Sequence, residues 1–318
     1  MSDWWVGGYG ADMGGTAQGV GLLRPRDDGS LSFAGVAAVA PSPSFLLRAG
    51  DLLHAATEGE AMVRSFDAAT LVPAGSAPTG GTLPCHLTAV GSAVIVANYG
   101  DGSLGVIADS TLVQSIAGTG SGPRAEQAGP HAHSSLLLDS TTLVSADLGA
   151  DRLHLHDIAD GVLARVSSLA VPPGTGPRDL ALLRPGALLV LGEFSCELLV
   201  LERSDGGLVV RASVPLPGRQ PGDQAAAIAS HGDYLYVGLR GSNRIAVLHS
   251  GPAGVQPVGW VGCAGDWPRH LAAADGVLHV ANQISGSVAS FRLGDDGMPV
   301  LIRDPEPVPT PTHLLPVG

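Results

Sequence analysis

Several histidine, arginine and glutamate residues that could take part in catalysis occur at similar positions within a repeated sequence motif. The candidates are His131, His133, Arg178, Glu193 and Arg240. Guanidinium groups can hold carboxylate or phosphate oxygens and stabilise an oxyanion. A histidine or glutamate can activate water or move a proton. If they meet in one concave site, these groups suit acid–base chemistry on an anionic substrate.

These candidates lie within or near a sequence motif that recurs about every 45 residues. Such a period is typical of stacked or radial repeat proteins. The clearest copies are Pro-Cys-His-Leu (84–87), Gly-Pro-His-Ala-His-Ser (129–134), Gly-Pro-Arg-Asp-Leu (176–180) and Trp-Pro-Arg-His-Leu (267–271). Fainter copies surround Pro43, Asp223 and Pro311. The seven anchors predict seven repeats.

Each repeat reads as four short strands separated by Gly, Asp and Ser turns. In the second repeat the strands are His86–Val90, Ala93–Asn98, Ser103–Ile107 and a weaker Leu112–Ile116. Four strands in such a repeat are typical of a β-propeller blade. We therefore predict an all-β, seven-bladed β-propeller that forms a single domain over 1–318. A six- or eight-bladed ring and a parallel β-helix are the competing architectures.

The last anchor lies too near the C-terminus to complete a blade by itself. The N-terminal strands Trp4–Tyr9 and Gly19–Leu23 can supply the missing strands. This closure would leave no open sheet edge.

A scaffold residue should recur in every repeat, whereas a catalytic residue should not. The residue after the anchor varies: Ser44, Cys85, His131, Arg178, Gln224, Arg269, Thr312. The end of the second strand also varies: Thr57, Asn98, Asp147, Glu193, Arg240, Asn282. Antiparallel pairing brings both positions to the same end of each sheet, so both should converge on one mouth of the propeller. His86, His133, Asp147 and Arg269 are then neighbours of the site, and we expect His86, Asp147 and Arg269 to bind the substrate. The repeated Asn98 and Asn282 favour a structural role.

The amino-acid composition argues against several classes of function. The formal charge of -12 and the absence of a basic, aromatic-rich stripe argue against nucleic-acid binding. All 17 basic residues are arginine, which excludes Schiff-base and P-loop lysine chemistry. The pair His131 and His133 could ligate a metal, but no third ligand follows from local spacing. We predict no metal and no cofactor.

The expected compartment is the cytoplasm, because the N-terminus has no signal-peptide pattern and three separated cysteines indicate reduced thiols. The sequence contains no apolar run of the length that a membrane span needs. We therefore predict no membrane partner, and the sequence leaves the oligomeric state open.

The chain resembles the seven-bladed propeller lactonases, a family that includes 6-phosphogluconolactonases of the cycloisomerase-like type and carboxymuconate lactonizing enzymes. The resemblance rests on the four clearest copies of the motif given above, together with four other segments. These are Val-Ala-Asn-Tyr-Gly (96–100), Ala-Asp-Leu-Gly-Ala-Asp-Arg (146–152), Gly-Thr-Gly-Pro-Arg (174–178) and Leu-Tyr-Val-Gly-Leu-Arg-Gly-Ser-Asn (235–243). It implies an active site of His131 or His133, Arg178, Glu193 and Arg240. Where the family usually shows Gly-Pro-Arg-His and Asn-Glu, this chain has Gly-Pro-Arg-Asp (176–179) and Gly-Glu (192–193).

The leading hypothesis is therefore a lactonase that acts on a small anionic or lactone substrate without a cofactor. Arg178 and Arg240 would bind the substrate and stabilise negative charge, and either Glu193 or His131 would be the base. A lyase or isomerase would use the same residues without water. A non-catalytic propeller that binds a ligand or protein is the alternative from another class, because polar residues at blade corners often only tie blades together.

Overall fold

The computed structural model describes residues 2–159, 161–184, 186–204 and 207–318. These residues form seven sheets, in which most strands pair with the strand before or after them in the chain. In the same ranges, the helical elements are the 3₁₀ turns Ala11–Met13, Glu58–Glu60 and Ala125–Gln127. The prediction of an all-β, seven-bladed propeller is confirmed.

The strands in these ranges are short and follow one another closely along the chain. The first fifteen are β1 (Trp4–Gly8), β2 (Gly19–Pro25), β3 (Leu31–Val39), β4 (Pro43–Ala49), β5 (Leu52–Thr57), β6 (Met62–Asp67), β7 (Pro73–Pro78), β8 (Pro84–Val90), β9 (Ala93–Asn98), β10 (Leu104–Ala108), β11 (Thr111–Ile116), β12 (Ala132–Leu137), β13 (Thr142–Asp147), β14 (Arg152–Ala159) and β15 (Val162–Ala170). The others are β16 (Pro177–Arg184), β17 (Ala187–Gly192), β18 (Glu197–Ser204), β19 (Gly207–Pro215), β20 (Gln224–His231), β21 (Tyr234–Arg240), β22 (Arg244–Gly251), β23 (Gly254–Gly262), β24 (Pro268–Ala274), β25 (Val277–Asn282), β26 (Ser287–Leu293), β27 (Pro299–Leu301), β28 (Glu306–Pro307) and β29 (Pro311–Pro316).

One compact unit comprises Leu47–Ser213. It contains the sheets β8 to β11 and β12 to β15, together with nearly all of β4 to β7 and β16 to β19. The second strands β9, β13 and β17 are buried along their whole length. Neighbouring sheets within this unit pack face to face, and this explains why their second strands read as continuous apolar runs. One such core joins Val144, Leu153, Leu188 and Leu199.

The other compact unit comprises Met1–Leu46 and Val214–Gly318. One of its sheets has the order β29-β1-β2-β3, so the C-terminal strand pairs with the N-terminal strand. Trp4 is paired with Pro316 and Val6 with Leu314 in this antiparallel ladder. The predicted closure of the last blade by N-terminal strands is thus confirmed. It removes the edge that β29 would otherwise expose.

Several strand boundaries match the predictions, including Ala93–Asn98 for β9 and Val277–Asn282 for β25. Strand β17 ends at Gly192, one residue before the predicted end at Glu193. A single domain over 1–318 stays a prediction. In the part of the chain that the structure describes, we find no helix with the length and hydrophobicity needed to cross a bilayer.

Candidate active site

A β-bulge recurs near the start of one edge strand in five of the sheets, namely β8, β12, β16, β24 and β29. In β16, Pro177 is opposite Gly192 and Asp179 is opposite Leu191, so Arg178 has no partner of its own in the ladder. A bulge of this kind leaves one residue unpaired and re-aims its side chain, and bulges are common beside active sites. The residues at this position are Cys85, His133, Arg178, Arg269 and Thr312.

The bulges correct the predicted alignment of the repeats at two places. His133, not His131, occupies the bulge of the third repeat, because β12 begins only at Ala132, two residues after the anchor proline. In the fifth repeat, Gln224 is opposite Arg240, so it takes the anchor position rather than the one after it. The spacing of the motifs did not predict these one-residue shifts of alignment, because the order of residue types does not show where a strand begins.

The predicted second position also needs one correction. Asn98, Asp147, Arg240 and Asn282 do end their second strands, but Glu193 lies one residue beyond the end of β17. The backbone N–H of Glu193 donates to the carbonyl of Gly176 over 2.8 Å. Tyr99 and Gln283 make the equivalent bond to Leu83 and Trp267 in their sheets. Glu193 therefore corresponds to Tyr99 and Gln283.

Asn98 and Asn282, which do recur, have a structural role as expected. Both are fully buried. The Nδ2 group of Asn98 donates to the Thr79 carbonyl and to the Ser103 hydroxyl, and that of Asn282 donates to the Cys263 carbonyl. Each amide thus ties the end of a second strand to the chain that follows the preceding sheet.

Arg178 and Glu193 form a buried ion pair. Arg178 Nε lies 2.7 Å from Glu193 Oε2, and the two residues are only 5% and 8% exposed. Among the described residues, Nε makes no hydrogen bond of suitable geometry, so this contact is electrostatic rather than a directed hydrogen bond. Burial strengthens the attraction and makes the removal of one partner costly.

Gly176 places the loop that leads into Arg178. Its φ of 60° lies in the left-handed region, and a Cβ at this position would collide with the ring of Phe194. Asp151 holds the same loop, because its carboxylate accepts the N–H groups of Gly174 (2.6 Å) and Gly176 (2.7 Å). Neither role was evident from the sequence. The signal that could have found Gly176 is its place before the anchor proline, where a left-handed conformation recurs.

His131 is held in one orientation by three contacts. Its ring stacks on Tyr99 with centroids 4.5 Å apart. Its Nδ1 lies 2.6 Å from the Tyr99 carbonyl oxygen, and its backbone N–H donates to Asp147 Oδ1 over 2.8 Å. A carbonyl oxygen only accepts, so Nδ1 carries the proton and Nε2 is the acceptor of the neutral ring. This orientation suits a general base.

His133 and His86 belong to the same compact unit as His131. His133 makes an edge contact to Tyr99 with centroids 5.9 Å apart, and its carbonyl accepts the Cys85 thiol. Burial, followed by the positive charge of Arg178, lowers the pKa of His86 to about 3. His86 is therefore neutral at physiological pH and lies within the electrostatic reach of Arg178.

Asp147 is almost completely buried. Its Oδ1 accepts the backbone N–H groups of His131 and Ala150, and its Oδ2 lies 3.8 Å from His154 Nε2. Through Oδ1, Asp147 orients the His131 segment, and the substrate-binding role expected from the sequence stays a prediction.

Arg240 and Arg269 belong to the other compact unit. Arg240 is buried and donates to the carbonyls of Gln224 (3.2 Å) and Ala225 (3.3 Å). Arg269 donates to Gln283 Oε1 (3.2 Å) and to the Tyr9 hydroxyl (2.7 Å). Both guanidinium groups are thus fixed in place. In the ranges that the structure describes, no cluster of three or more His, Cys, Asp or Glu side chains could hold a metal ion.

Comparison with known proteins agrees with this architecture. The family model described as "Lactonase, 7-bladed beta-propeller" matches residues 3–316. The 6-phosphogluconolactonase of Bacillus subtilis is 30% identical over 255 residues, which cover 73% of this chain and 72% of that protein. The chain belongs to the seven-bladed β-propeller lactonase family.

Solved structures are similar over nearly the whole chain. The periplasmic gluconolactonase PpgL of Pseudomonas aeruginosa is 26% identical, with a TM-score of 0.88 over 100% of this chain and 99% of that one. A protein from Lactobacillus plantarum is 25% identical, with a TM-score of 0.90 over 99% and 98% of the two chains.

Proposed function

We propose that this protein hydrolyses a lactone of an anionic small molecule, of the sugar-acid class, with His131 and Arg178 at the centre of the reaction. The observation that carries the proposal is the orientation of His131, whose Nδ1 is engaged by the Tyr99 carbonyl so that Nε2 is the acceptor. Strands β12 and β16, at whose starts His131 and Arg178 lie, pack against each other. Family membership and the B. subtilis relative support the lactone class.

In this mechanism, His131 Nε2 takes a proton from water as the water oxygen adds to the lactone carbonyl. The guanidinium of Arg178 stabilises the resulting oxyanion. Collapse of the tetrahedral intermediate breaks the bond between the carbonyl carbon and the ring oxygen. The proton on His131 passes to the departing alkoxide, which gives a hydroxy acid and restores the neutral imidazole.

The contacts of the two candidate bases support different roles for them. Glu193 Oε2 lies 2.7 Å from Arg178 Nε, so its carboxylate is engaged by the guanidinium, whereas Nε2 of His131 is left as the acceptor of its ring. We therefore assign proton transfer to His131 and the orientation of Arg178 to Glu193. The roles expected for Arg240 and Arg269 stay predictions.

Glucono-δ-lactone and its phosphorylated form are the substrates with which to test this function. His131→Ala should lower kcat by about 10²–10⁴, the usual contribution of a general base. Arg178→Gln should also lower kcat strongly, while His231→Ala and Arg152→Ala serve as controls because both residues are exposed. Thermal unfolding of each variant separates loss of fold from loss of chemistry. Unchanged rates in both site variants would contradict the assignment.

A non-catalytic binding propeller is the second candidate, and the closed Arg178–Glu193 pair is the observation that favours it. It predicts that the wild-type protein binds sugar acids without turning over any lactone. A lyase or isomerase of the same family is distinguished by labelled water, because only hydrolysis transfers a solvent oxygen to the product carboxylate.

A further inference from the structure

A cavity lies between the sheet of β4 to β7 and the sheet of β8 to β11. All of its lining residues belong to the compact unit Leu47–Ser213. Its volume of about 520 Å³ falls in the usual range of small-ligand sites, roughly 300–1,000 Å³. The cavity is bordered by the turns that join β4 to β5, β8 to β9 and β10 to β11.

This cavity is separate from the candidate active site. The Cys85 thiol donates to the His133 carbonyl. Thr88, further along β8, donates to the carbonyl of Ser135, further along β12. The two strands therefore run side by side in the same direction, with His131 just before the start of β12 and the cavity at the far end of β8. Among the described residues that line the cavity, none has a role in the proposed mechanism.

The walls of the cavity are apolar and its rim is acidic. Four buried side chains contribute to the walls: Val63, Ala77, Val94 and Ile107. Asp51 and Asp109 are exposed at the rim, and of the described lining residues these two and His54 are the ionisable ones. The guanidinium of Arg48, which precedes the same turn as Asp51, donates to the Gly50 carbonyl over 3.4 Å and is not among the lining groups.

His54 presents a neutral imidazole to the cavity. Its Nδ1 lies 2.8 Å from the hydroxyl oxygen of Ser65, its partner in the ladder of β5 and β6. Burial lowers the pKa of His54, so its ring is uncharged at physiological pH. The same pair occurs in the other compact unit, where His279 Nδ1 lies 3.0 Å from Ser290 Oγ across β25 and β26. Both histidines are the third residue of their second strand.

The sheet that follows each histidine along the chain carries a different residue at one equivalent position. Gly8 and Asn98 each pair with the anchor proline of their repeat, and Trp4 and Val94 lie four residues before them. Trp4 and Val94 are therefore equivalent. Trp4 lines the space beside His279, as Val94 lines the cavity beside His54.

Trp4 fills its space almost completely. Its ring makes an edge contact with His279, with centroids 4.9 Å apart. The volume that remains beside them is about 10 Å³, which is too small for anything larger than a water molecule. Val94 has a much smaller side chain, so the space that an indole ring occupies beside His279 is open beside His54. The fold itself thus shows which kind of group fits this place.

An aromatic ring fits beside His54, and a positive charge attached to that ring would meet the carboxylates of the rim. We propose that the cavity binds a small aromatic amine, whose ring packs against His54 as Trp4 packs against His279. Its ammonium group would lie near Asp51 and Asp109 and donate hydrogen bonds to them. This inference does not depend on the proposed lactone hydrolysis.

Tryptamine is the ligand with which to test this site, and calorimetry measures its binding. Indole-3-propionate has the same ring with a negative charge, and ethylamine has the ammonium group without the ring. We expect tryptamine to bind with a Kd of about 0.01–1 mM and indole-3-propionate to bind at least about tenfold more weakly. Ethylamine should show no binding at these concentrations. Absence of tryptamine binding up to about 10 mM, or equal affinities for the two indoles, would overturn the proposal.

Two sets of variants place the ligand in this cavity. Val94→Trp supplies the side chain that fills the equivalent place and should abolish tryptamine binding without lowering Tm. Asp51→Asn and Asp109→Asn, at exposed positions, should each weaken tryptamine binding about two- to fivefold. Asp275→Asn, beside the space that Trp4 fills, is the matched control and should leave Kd unchanged.

The variants also decide against the proposal if it is wrong. Tryptamine binding that persists in a folded Val94→Trp protein would locate the ligand elsewhere. If that variant does not fold, the two aspartate variants carry the test. Wild-type affinity in the protein that combines both aspartate substitutions, or a loss in Asp275→Asn of the same size, would then overturn the proposal.

Discussion

Arg178 and Glu193 lie 2.7 Å apart at their charged ends, and the same pairing recurs in another sheet with an amide in place of the carboxylate. Arg269 occupies the equivalent bulge and donates to Gln283 Oε1 over 3.2 Å. The blade therefore supports an arginine at the bulge with either a glutamate or a glutamine beside it. Only the pair in the fourth repeat carries a negative charge, which implies that its charge serves more than the fold.

Replacing Glu193 with glutamine reproduces the arrangement of Arg269 and Gln283. We expect Glu193→Gln to keep the fold at reduced stability and to lower kcat about tenfold, because the buried guanidinium of Arg178 loses its opposite charge. His131→Ala should cost considerably more. Steady-state kinetics of both variants test the ranking, and a larger loss for Glu193→Gln than for His131→Ala would make Glu193 the base instead.

Asp147 should position His131 through hydrogen bonds rather than through its charge. Asp147→Asn keeps an oxygen that can accept the N–H groups of His131 and Ala150, so we expect most of the activity to remain. Asp147→Ala leaves both N–H groups without this acceptor and should cost about 1–3 kcal/mol of stability together with most of kcat. Asp139→Ala, at an exposed carboxylate, is the control. Thermal unfolding and kcat should separate the two Asp147 variants, and equal losses in both would assign the role to charge.

Much of the fold was predictable because each repeat carries its own strand and turn signals. The buried second strand Ala93–Asn98 was placed correctly since a continuous apolar run between turn residues is a strong signal. The closure of β1 on β29 followed from an incomplete last repeat. Strand positions and the closure of the last blade can be predicted because they depend on residue types within each repeat.

The details of the site were less predictable. The bulges that place Arg178 and His133 depend on ladder register, which a one-residue insertion changes without altering composition. The contact of His131 with the Tyr99 carbonyl depends on how neighbouring repeats pack, so no pattern within a repeat could indicate it. The sequence indicated which residues belong to the candidate site, but it did not indicate which of their atoms are in contact.

Asp151 should be essential to the loop that leads into Arg178. Its carboxylate accepts three hydrogen bonds, from Gln127 Nε2 and from the backbone of Gly174 and Gly176. Asp151 has a φ of 51°, which asparagine tolerates well, so Asp151→Asn tests the hydrogen bonds rather than the backbone. The new amide N–H₂ would face other donors, and we expect a loss of about 2–4 kcal/mol with reduced kcat. Denaturant unfolding measures the stability change, and Asp109→Asn, at an exposed position with φ of 48°, is the matched control.

Acid should destabilise the protein through buried histidines, and His279 is the clearest case. Burial lowers its pKa from 6.5 to about 4. Its Nδ1 is 3.0 Å from Ser290 Oγ, and its ring makes an edge contact with Trp4. Above pH 6.5 both the folded and the unfolded chain hold this histidine neutral. Between pH 6.5 and 4 the unfolded chain binds a proton that the folded chain does not, so stability falls as the pH falls, by on the order of 3 kcal/mol.

His279→Gln keeps a polar partner for Ser290 but does not titrate. We therefore expect a shallower decrease of Tm between pH 6.5 and 4 in this variant than in the wild type, with the remaining slope due in part to His86 and His156, whose pKa values are also lowered, to about 3. His231→Gln, at an exposed position, should keep the wild-type slope. A slope that His279→Gln leaves unchanged would show that His279 does not contribute to the acid sensitivity of the fold.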